Sequence, residues 1–337
     1  MNGRLEGENN KKNKTDNILL ELPDYVDKWV ISMRASEKTE SSIQDYVQKV
    51  RKFLKYIDSN IKELPAEKIT ADVTCEYFIS LRKKEKNGEI LETSDSYKIT
   101  NWNCLNNFLG FMAKRGYIKY NYMTEISKPK NNDLNRINRN RIELTQKDFN
   151  NIIKAVNNGA GTHRARARQK KWKERDMAIF LLFMTTGMRE TALSQINIED
   201  IDFANNTLIV RDKGDKEHEY TLKKHTINAI NRWLEVRKNL KGNELNALFI
   251  NNKGTRLAAS GIAELVLKYS EAGIGYKIRP HKLRAGFCTI LYNMNPDILF
   301  VSNVVGHSSI DVTRRYIVTK NTQRDKASDM MDGIFSI

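Results

Sequence analysis

Apolar residues recur at helical spacing through most of the chain. Ile43, Tyr46, Val47, Val50, Phe53, Leu54 and Ile57 share one face of a 3.6-residue period, and Lys49, Arg51, Lys52 and Lys55 fall largely on the others. The pattern predicts a helix with Ser41 and Ser42 as candidate N-caps. Two more stripes, in residues 73–81 and 97–113, predict further helices; the second is built on Trp102, Leu105, Phe108, Leu109 and Met112. The charged segment 82–88 between them reads as a connection. No stretch here alternates as a strand does, so residues 21–127 are expected to form a small all-helical domain. Residues 1–20, polar throughout their first part, are expected to be disordered.

Residues 128–142 contain KPKNNDLNRINRNR, rich in Asn and basic residues and without periodicity, and read as an interdomain linker. The pattern of residues 143–320 is mixed. Helices are expected near 145–156 and over the apolar run 177–184, which stops at Gly187. Strands are expected at 207–211 and 219–222, around the turn Asp212-Lys213-Gly214-Asp215. Helices follow near 226–240, 258–270 and 281–293, with a short apolar segment at 247–250. Two more are signalled by their ends: one with Asn295 as N-cap, Pro296 in its first turn and Gly306 beyond it, and one near 311–318 with Ser308 and Asp311 in capping-box spacing. A tail, 321–337, holds Met330, Met331, Ile334 and Phe335 among polar residues. The fold expected is mainly α with a small antiparallel β-sheet (α+β).

Charge sharpens the picture. The 337 residues carry 57 Lys+Arg against 41 Asp+Glu, a net charge of +16. Cations at this excess bind phosphates by releasing counterions, so nucleic acid is the expected partner. The excess is uneven: Arg164, Arg166, Arg168, Lys170, Lys171, Lys173 and Arg175 crowd one stretch, read as an exposed basic loop that touches DNA backbone. No apolar run approaches the roughly 18 residues of a membrane span. The start of the chain lacks the apolar core of a signal peptide. Cys75, Cys104 and Cys288 are scattered without paired spacing, which fits neither a disulfide framework nor a zinc site. A cytoplasmic protein with no membrane partner, no metal site and no cofactor is expected.

The chemistry-bearing residues at helix ends and turns are cationic or neutral donors: Arg189 after Thr-Thr-Gly-Met, Lys213 in its turn, His281 and Arg284, and His307 after Gly306. Tyr316 follows. His281 and Arg284, at i and i+3, project from one side of a first helical turn. Two guanidiniums, a lysine and two imidazoles around one tyrosine are costly to gather unless a concentrated anion sits among them. A phosphodiester supplies it, and guanidinium forks match its oxygens bidentately. The set suits electrostatic stabilisation of a phosphoryl transition state, with the tyrosine as covalent nucleophile.

In this order, Thr186-Gly187-Met188-Arg189, Lys213 in a hairpin, His281-Lys282-Leu283-Arg284, Gly306-His307-Ser308-Ser309 and Tyr316 resemble the signature of the tyrosine recombinases, the phage-type integrases. The resemblance covers about residues 144–319 and extends more loosely to 22–125, which resembles the family's SAM-like core-binding domain. It implies that Tyr316 attacks the scissile phosphate to form a 3′-phosphotyrosyl link. Arg189 and Arg284 would hold the non-bridging oxygens, Lys213 would protonate the leaving 5′ oxygen, His281 would assist proton transfer at the nucleophile, and His307 would hydrogen-bond the phosphate. It further implies a site-specific DNA recombinase that integrates or excises a mobile element or phage, assembled as a homo-tetramer on double-stranded DNA, with an excision factor as a candidate partner. The tail would be a helix docking on a neighbouring protomer. A chromosome-dimer resolvase of the Xer kind, a type IB topoisomerase-like relaxing enzyme and a DNA-binding protein without catalysis are the alternatives. Two positions depart from the family pattern: Ala192 stands where an acidic residue is common, and Ala285 where histidine is frequent. Lys216 is a neighbouring rival for Lys213.

Overall fold

The computed structural model describes residues 2–86, 88–130, 143–211, 217–306, 310 and 313. They fall into two compact units, one running to Asn140 and the other from Arg141. The first contains helices α1 (Asn2–Leu19), α2 (Asp24–Ala35), α3 (Glu40–Ile57), α4 (Ala71–Ser80) and α5 (Asp95–Lys114). Apolar stripes of α2, α3 and α5 interlock at their centre: the Trp29 and Phe108 rings meet edge-on at 5.0 Å, above Val47, Val50, Leu105 and Leu109. Trp102, at the edge of this core, donates its indole N–H to the carbonyl of Ile126 at 2.7 Å. The side chains that start these helices are Thr39, Thr70 and Ser94, each accepting a backbone N–H three residues on.

Three features of this unit correct the sequence reading. The N-cap of α3 is Thr39, not Ser41 or Ser42. Residues expected to be disordered form α1. Its polar composition buries little, and it is held by its C-terminal end: Thr15 and Leu19 are buried, Ile18 packs on the same core, and Asp16 pairs with Arg34 at 2.7 Å. The unit is not purely helical either. Lys83–Lys86 (β1) and Glu89–Glu92 (β2) form an antiparallel hairpin, pairing from Lys83 with Glu92 to Lys86 with Glu89. Every residue of β2 is exposed, so the apolar alternation that reveals a half-buried strand is missing from its sequence.

The second unit is arranged around an apolar helix. It contains α6 (Gln146–Asn158), α7 (His163–Gln169), α8 (Lys173–Thr186), α9 (Glu190–Gln195), α10 (Lys224–Arg237), α11 (Ala259–Ile274), α12 (Pro280–Met294) and α13 (Ile298–Val305). Helix α8 buries Met177, Ala178, Ile179, Phe180, Leu182, Phe183 and Met184, all sides of the helix, because α6, α10 and α12 surround it. A reciprocal capping box opens α6: Thr145 accepts from the Asp148 N–H and Asp148 from the Thr145 N–H. Strands β3 (Ile201–Asp202), β4 (Thr207–Arg211) and β5 (Glu217–Thr221) make an antiparallel meander in that order, with Leu208 and Val210 facing the core. The α12 helix ends on Asn295, whose N–H donates to Leu291, and Asp297 caps α13 by accepting from Leu299 and Phe300. The expected N-cap at Asn295 is therefore displaced by two residues, since that residue already closes the preceding helix. The expected helix at 311–318, the tail and residues 131–142 of the expected linker lie outside the described residues.

The basic stretch is helical, not the loop expected from its alternation. Thr162 caps α7 by accepting from the Ala165 N–H, and Gln169 clasps the preceding turn, donating to the Ala160 carbonyl at 2.8 Å and accepting from the Ala160 N–H at 3.0 Å. A helix this short needs no apolar face when Ala, Arg and Gln favour the conformation and caps satisfy its ends.

Candidate functional site

The site is built where α8 stops. Gly187 terminates that helix in the left-handed conformation (φ +63°), its N–H bonded to the Phe183 carbonyl at 3.0 Å. Two residues later Arg189, in extended conformation, starts α9 as its N-cap and is half-buried. Glycine is required at 187 on two counts: the positive φ, and a Cβ there that would lie 2.7 Å from Cε1 of Phe287 on α12. Gly187→Ala is expected to destabilise the unit by about 1–3 kcal/mol from overpacking, with roughly 1–2 kcal/mol more from the left-handed backbone. A lowered denaturant midpoint would register this.

Helix α12 brings the second pair. Pro280 occupies its first turn, a position where the missing N–H costs nothing. His281 is exposed there, while Arg284, one turn on, is only 2% exposed. Arg284 donates from Nη1 to the Gly187 carbonyl at 2.5 Å and from Nη2 to the Val305 carbonyl at 2.7 Å. Gly187 and Gly306 both end helices in the left-handed conformation (φ +63° and +65°). One guanidinium thus ties together two helix C-termini, and the chain leaves them toward Arg189 and His307 respectively. The α12 helix can approach this closely because Gly286 meets Leu144 and Phe149 without a side chain of its own.

The structure therefore brings Arg284 onto the segments that lead to Arg189 and His307, and sets His281 on the same helix. Lys213, its rival Lys216, His307 and Tyr316 lie outside the described residues. Thr313, three residues before Tyr316, is buried. The strands flanking Lys213 are paired up to Arg211 opposite Glu217, leaving residues 212–216 between them. Ala192, where the family pattern has an acid, is buried in α9 and packs into the core. Ala285 is half-buried beside Arg284.

Electrostatics beneath the site are organised separately. Arg175, last cation of the basic stretch, turns inward: it bonds Asp176 at 2.7 Å, donates to the Ile250 carbonyl at 3.0 Å and stacks on Trp172 at 4.5 Å. Tyr269 donates to the same Asp176 at 2.8 Å. Burial, then the Asp176 charge, raises the Tyr269 phenol above its ordinary range. Burial pulls the neighbouring Lys268 ammonium down against the opposing attraction of Asp176. Arg164, Arg166, Arg168, Lys170 and Lys171 are exposed and Lys173 half-buried, so this part of the run keeps its charge at the surface. Burial also pushes the Cys288 thiol up to about 11, which leaves it protonated and unreactive in the α12–α13 contact. Among the described residues, no group of three or more His, Cys, Asp or Glu side chains could hold a metal ion, and no helix is long and apolar enough to cross a membrane.

A contact invisible to sequence reasoning joins the hairpin to the rest. His218 of β5 packs on Gly306, where an added Cβ would fall 2.6 Å from its Nε2. No local spacing signals it, because the two residues belong to elements far apart in the chain.

The model of the phage integrase family matches residues 142–323. The XerC tyrosine recombinase of Alcanivorax borkumensis is 35% identical over 144 residues, covering 42% of this chain and 47% of that protein. The XerC of Thermodesulfovibrio yellowstonii is 31% identical over 222 residues, covering 63% and 67%. The chain spans about half the length of curated relatives such as the first. Among solved structures, XerH recombinase bound to a palindromic difH substrate superposes with a TM-score of 0.61 at 19% identity, covering 87% of this chain and 80% of that one. The Tn1549 transposon integrase in complex with circular intermediate DNA gives 0.61 at 17%, covering 90% and 98%. A lambda integrase dimer on a COC′ core site gives 0.61 at 13%, covering 87% and 94%. At these identities the likeness to solved structures is one of fold.

Proposed function

Since this chain belongs to the phage integrase family, we propose that it is a site-specific DNA recombinase, cutting and rejoining double-stranded DNA through a 3′-phosphotyrosyl intermediate. The observation that carries the reading is the Arg284 guanidinium bonded to both glycine-ended helices, beside the segments of Arg189 and His307. The tyrosine oxygen of residue 316 attacks phosphorus as the P–O5′ bond breaks. Its phenolic proton passes to His281, and Lys213 delivers one to the departing O5′. The products are a 3′-phosphotyrosine and a free 5′-hydroxyl. Arg189, Arg284 and His307 stabilise the charge on the non-bridging oxygens. Reversal by an incoming 5′-hydroxyl rejoins the strand without nucleotide, because the bond energy is retained in the phosphotyrosine.

The exposed cations of α7 and the turn after it, Arg164, Arg166, Arg168, Lys170 and Lys171, with Lys173, contact the DNA backbone in this reading and position the duplex without specifying bases. The working assembly is a homo-tetramer on its DNA site, the tail from 321 docking on a neighbouring protomer, with an excision factor acting on its direction. Integration or excision of a mobile element is the primary assignment. The matches to XerC favour a second, chromosome-dimer resolution.

One experiment tests the chemistry and separates the two. The chain is incubated, without added metal or nucleotide, with nicked duplexes of randomised sequence, and detergent-stable adducts are collected and sequenced. A 3′-linked tyrosyl adduct on a defined sequence is expected. Gel-shift binding with no adduct would overturn the catalytic reading in favour of a DNA-binding protein, and adducts on all sequences alike would indicate a relaxing enzyme. A recovered sequence at the borders of an inserted element supports the integrase, and one at the chromosome terminus the resolvase.

A further inference from the structure

We propose that His218 is a positioning residue that sets the reach of the Lys213 turn toward the reacting phosphate. The inference rests on the reading of Lys213 as the acid that protonates O5′, and adds to it the part of the fold that aims that acid.

His218 pairs in register with Val210, one step back from Arg211 and Glu217, the last pair before residues 212–216. It therefore stands at the base of the turn that carries Lys213. Its half-buried imidazole packs on Gly306 so closely that a Cβ there would lie 2.6 Å from Nε2 and 3.1 Å from Nδ1. The glycine fits because it has no side chain. On its other side the peptide is fixed: the Val305 carbonyl is held by Arg284 at 2.7 Å, and the same guanidinium holds the Gly187 carbonyl. The hairpin is thereby referenced to the arginine that would bind the phosphate, through one ring and one glycine. The rest of its packing lies farther back, where Leu208 and Val210 enter the core and the Leu222 N–H donates to the Asn206 carbonyl at 2.7 Å.

A two-stranded ribbon twists and bends readily, so core anchoring near β3 leaves its tip free to swing. The ring of His218 limits that swing at the place where it matters. Proton delivery to a leaving oxygen tolerates little error, and a misplacement of about 1 Å costs on the order of 10²-fold in rate.

Simple packing of the hairpin would make His218 equally important for every substrate. A positioning role for the acid makes it important only when the leaving group needs a proton. The test uses single-turnover cleavage of the duplex recovered by adduct capture, made with either oxygen or sulfur as the 5′-bridging atom. A 5′-thiolate departs without protonation. His218→Ala is expected to slow cleavage of the oxygen substrate on the order of 10²-fold and to cleave the sulfur substrate at nearly the unmodified rate. His218→Gln, which keeps polarity and loses the ring, should show the same split. His218→Phe, which restores a ring over Gly306, should recover the oxygen rate. Lys213→Ala is the reference. If sulfur rescues Lys213→Ala but neither His218→Ala nor His218→Gln, the positioning role fails while the acid stands. If sulfur does not rescue Lys213→Ala, the acid assignment fails and the inference with it. Equal losses on both substrates, or no loss on oxygen, overturn the proposal.

Discussion

Tyr316→Phe is expected to bind DNA as tightly as the unmodified chain and to form no covalent adduct on a nicked duplex. The substitution removes a single hydroxyl oxygen, the only atom of the side chain able to bond phosphorus. It leaves the cationic surface of α7 untouched, and that surface dominates affinity through counterion release. The expected result is thus a complete separation: an unchanged gel shift with an unchanged salt slope, and loss of the detergent-stable species to background. An adduct formed by the phenylalanine variant would identify another nucleophile and dismantle the assignment. Peptide mapping of the adduct made by the unmodified chain checks the same point from the other side.

Arg284 carries the second large effect, and there catalysis and folding are entangled. Deleting a donor to developing phosphoryl charge is expected to cost cleavage by roughly 10²–10³-fold, the scale seen for single oxyanion donors. Arg284→Ala also leaves the buried carbonyls of Gly187 and Val305 without the donor that now satisfies them. Each loss carries about 1–3 kcal/mol of desolvation penalty. The alanine variant should therefore show both a depressed melting temperature and almost no adduct. Arg284→Lys separates the two effects. An ammonium on a flexible stem cannot span two carbonyls with a planar fork, but it retains the charge. It should recover part of the adduct yield while remaining less stable than the unmodified chain. Near-full cleavage by the alanine variant would remove Arg284 from the phosphate site.

Much of this architecture can be read from local patterns, and the failures have physical causes. The ends of α8 and α13 are legible because Gly187 and Gly306 follow apolar runs directly, and a left-handed cap is a local requirement. Helices α3 and α5 are legible because their apolar stripes face one core. The β1–β2 hairpin is not, since a strand exposed throughout carries no alternation to detect. Nor is α1, where polar composition conceals a helix anchored by Thr15, Leu19 and an ion pair from Asp16 to Arg34. Spacing places His281 and Arg284 on one side of α12, yet it does not foretell that one is exposed and the other almost wholly enclosed. That difference comes from the approach of α12 to α8, made through Gly286 and the Phe287–Gly187 contact. The inward turn of Arg175 is equally hidden, as it depends on Ile250 and Tyr269, which reach Asp176 and its neighbour from other elements.

The double anchorage of Arg284 also bears on when the enzyme becomes competent during its own synthesis. A nascent chain that has exposed α8 and α12 holds the guanidinium and one of its two carbonyl partners; the other, at Val305, is still inside the ribosome. Until it emerges, the arginine lacks the second fixed point that aligns its fork. Strand-cutting geometry is thus withheld from partly translated chains and completed only with the last helices, so that an unfinished polypeptide meeting the chromosome has no aligned centre with which to break it.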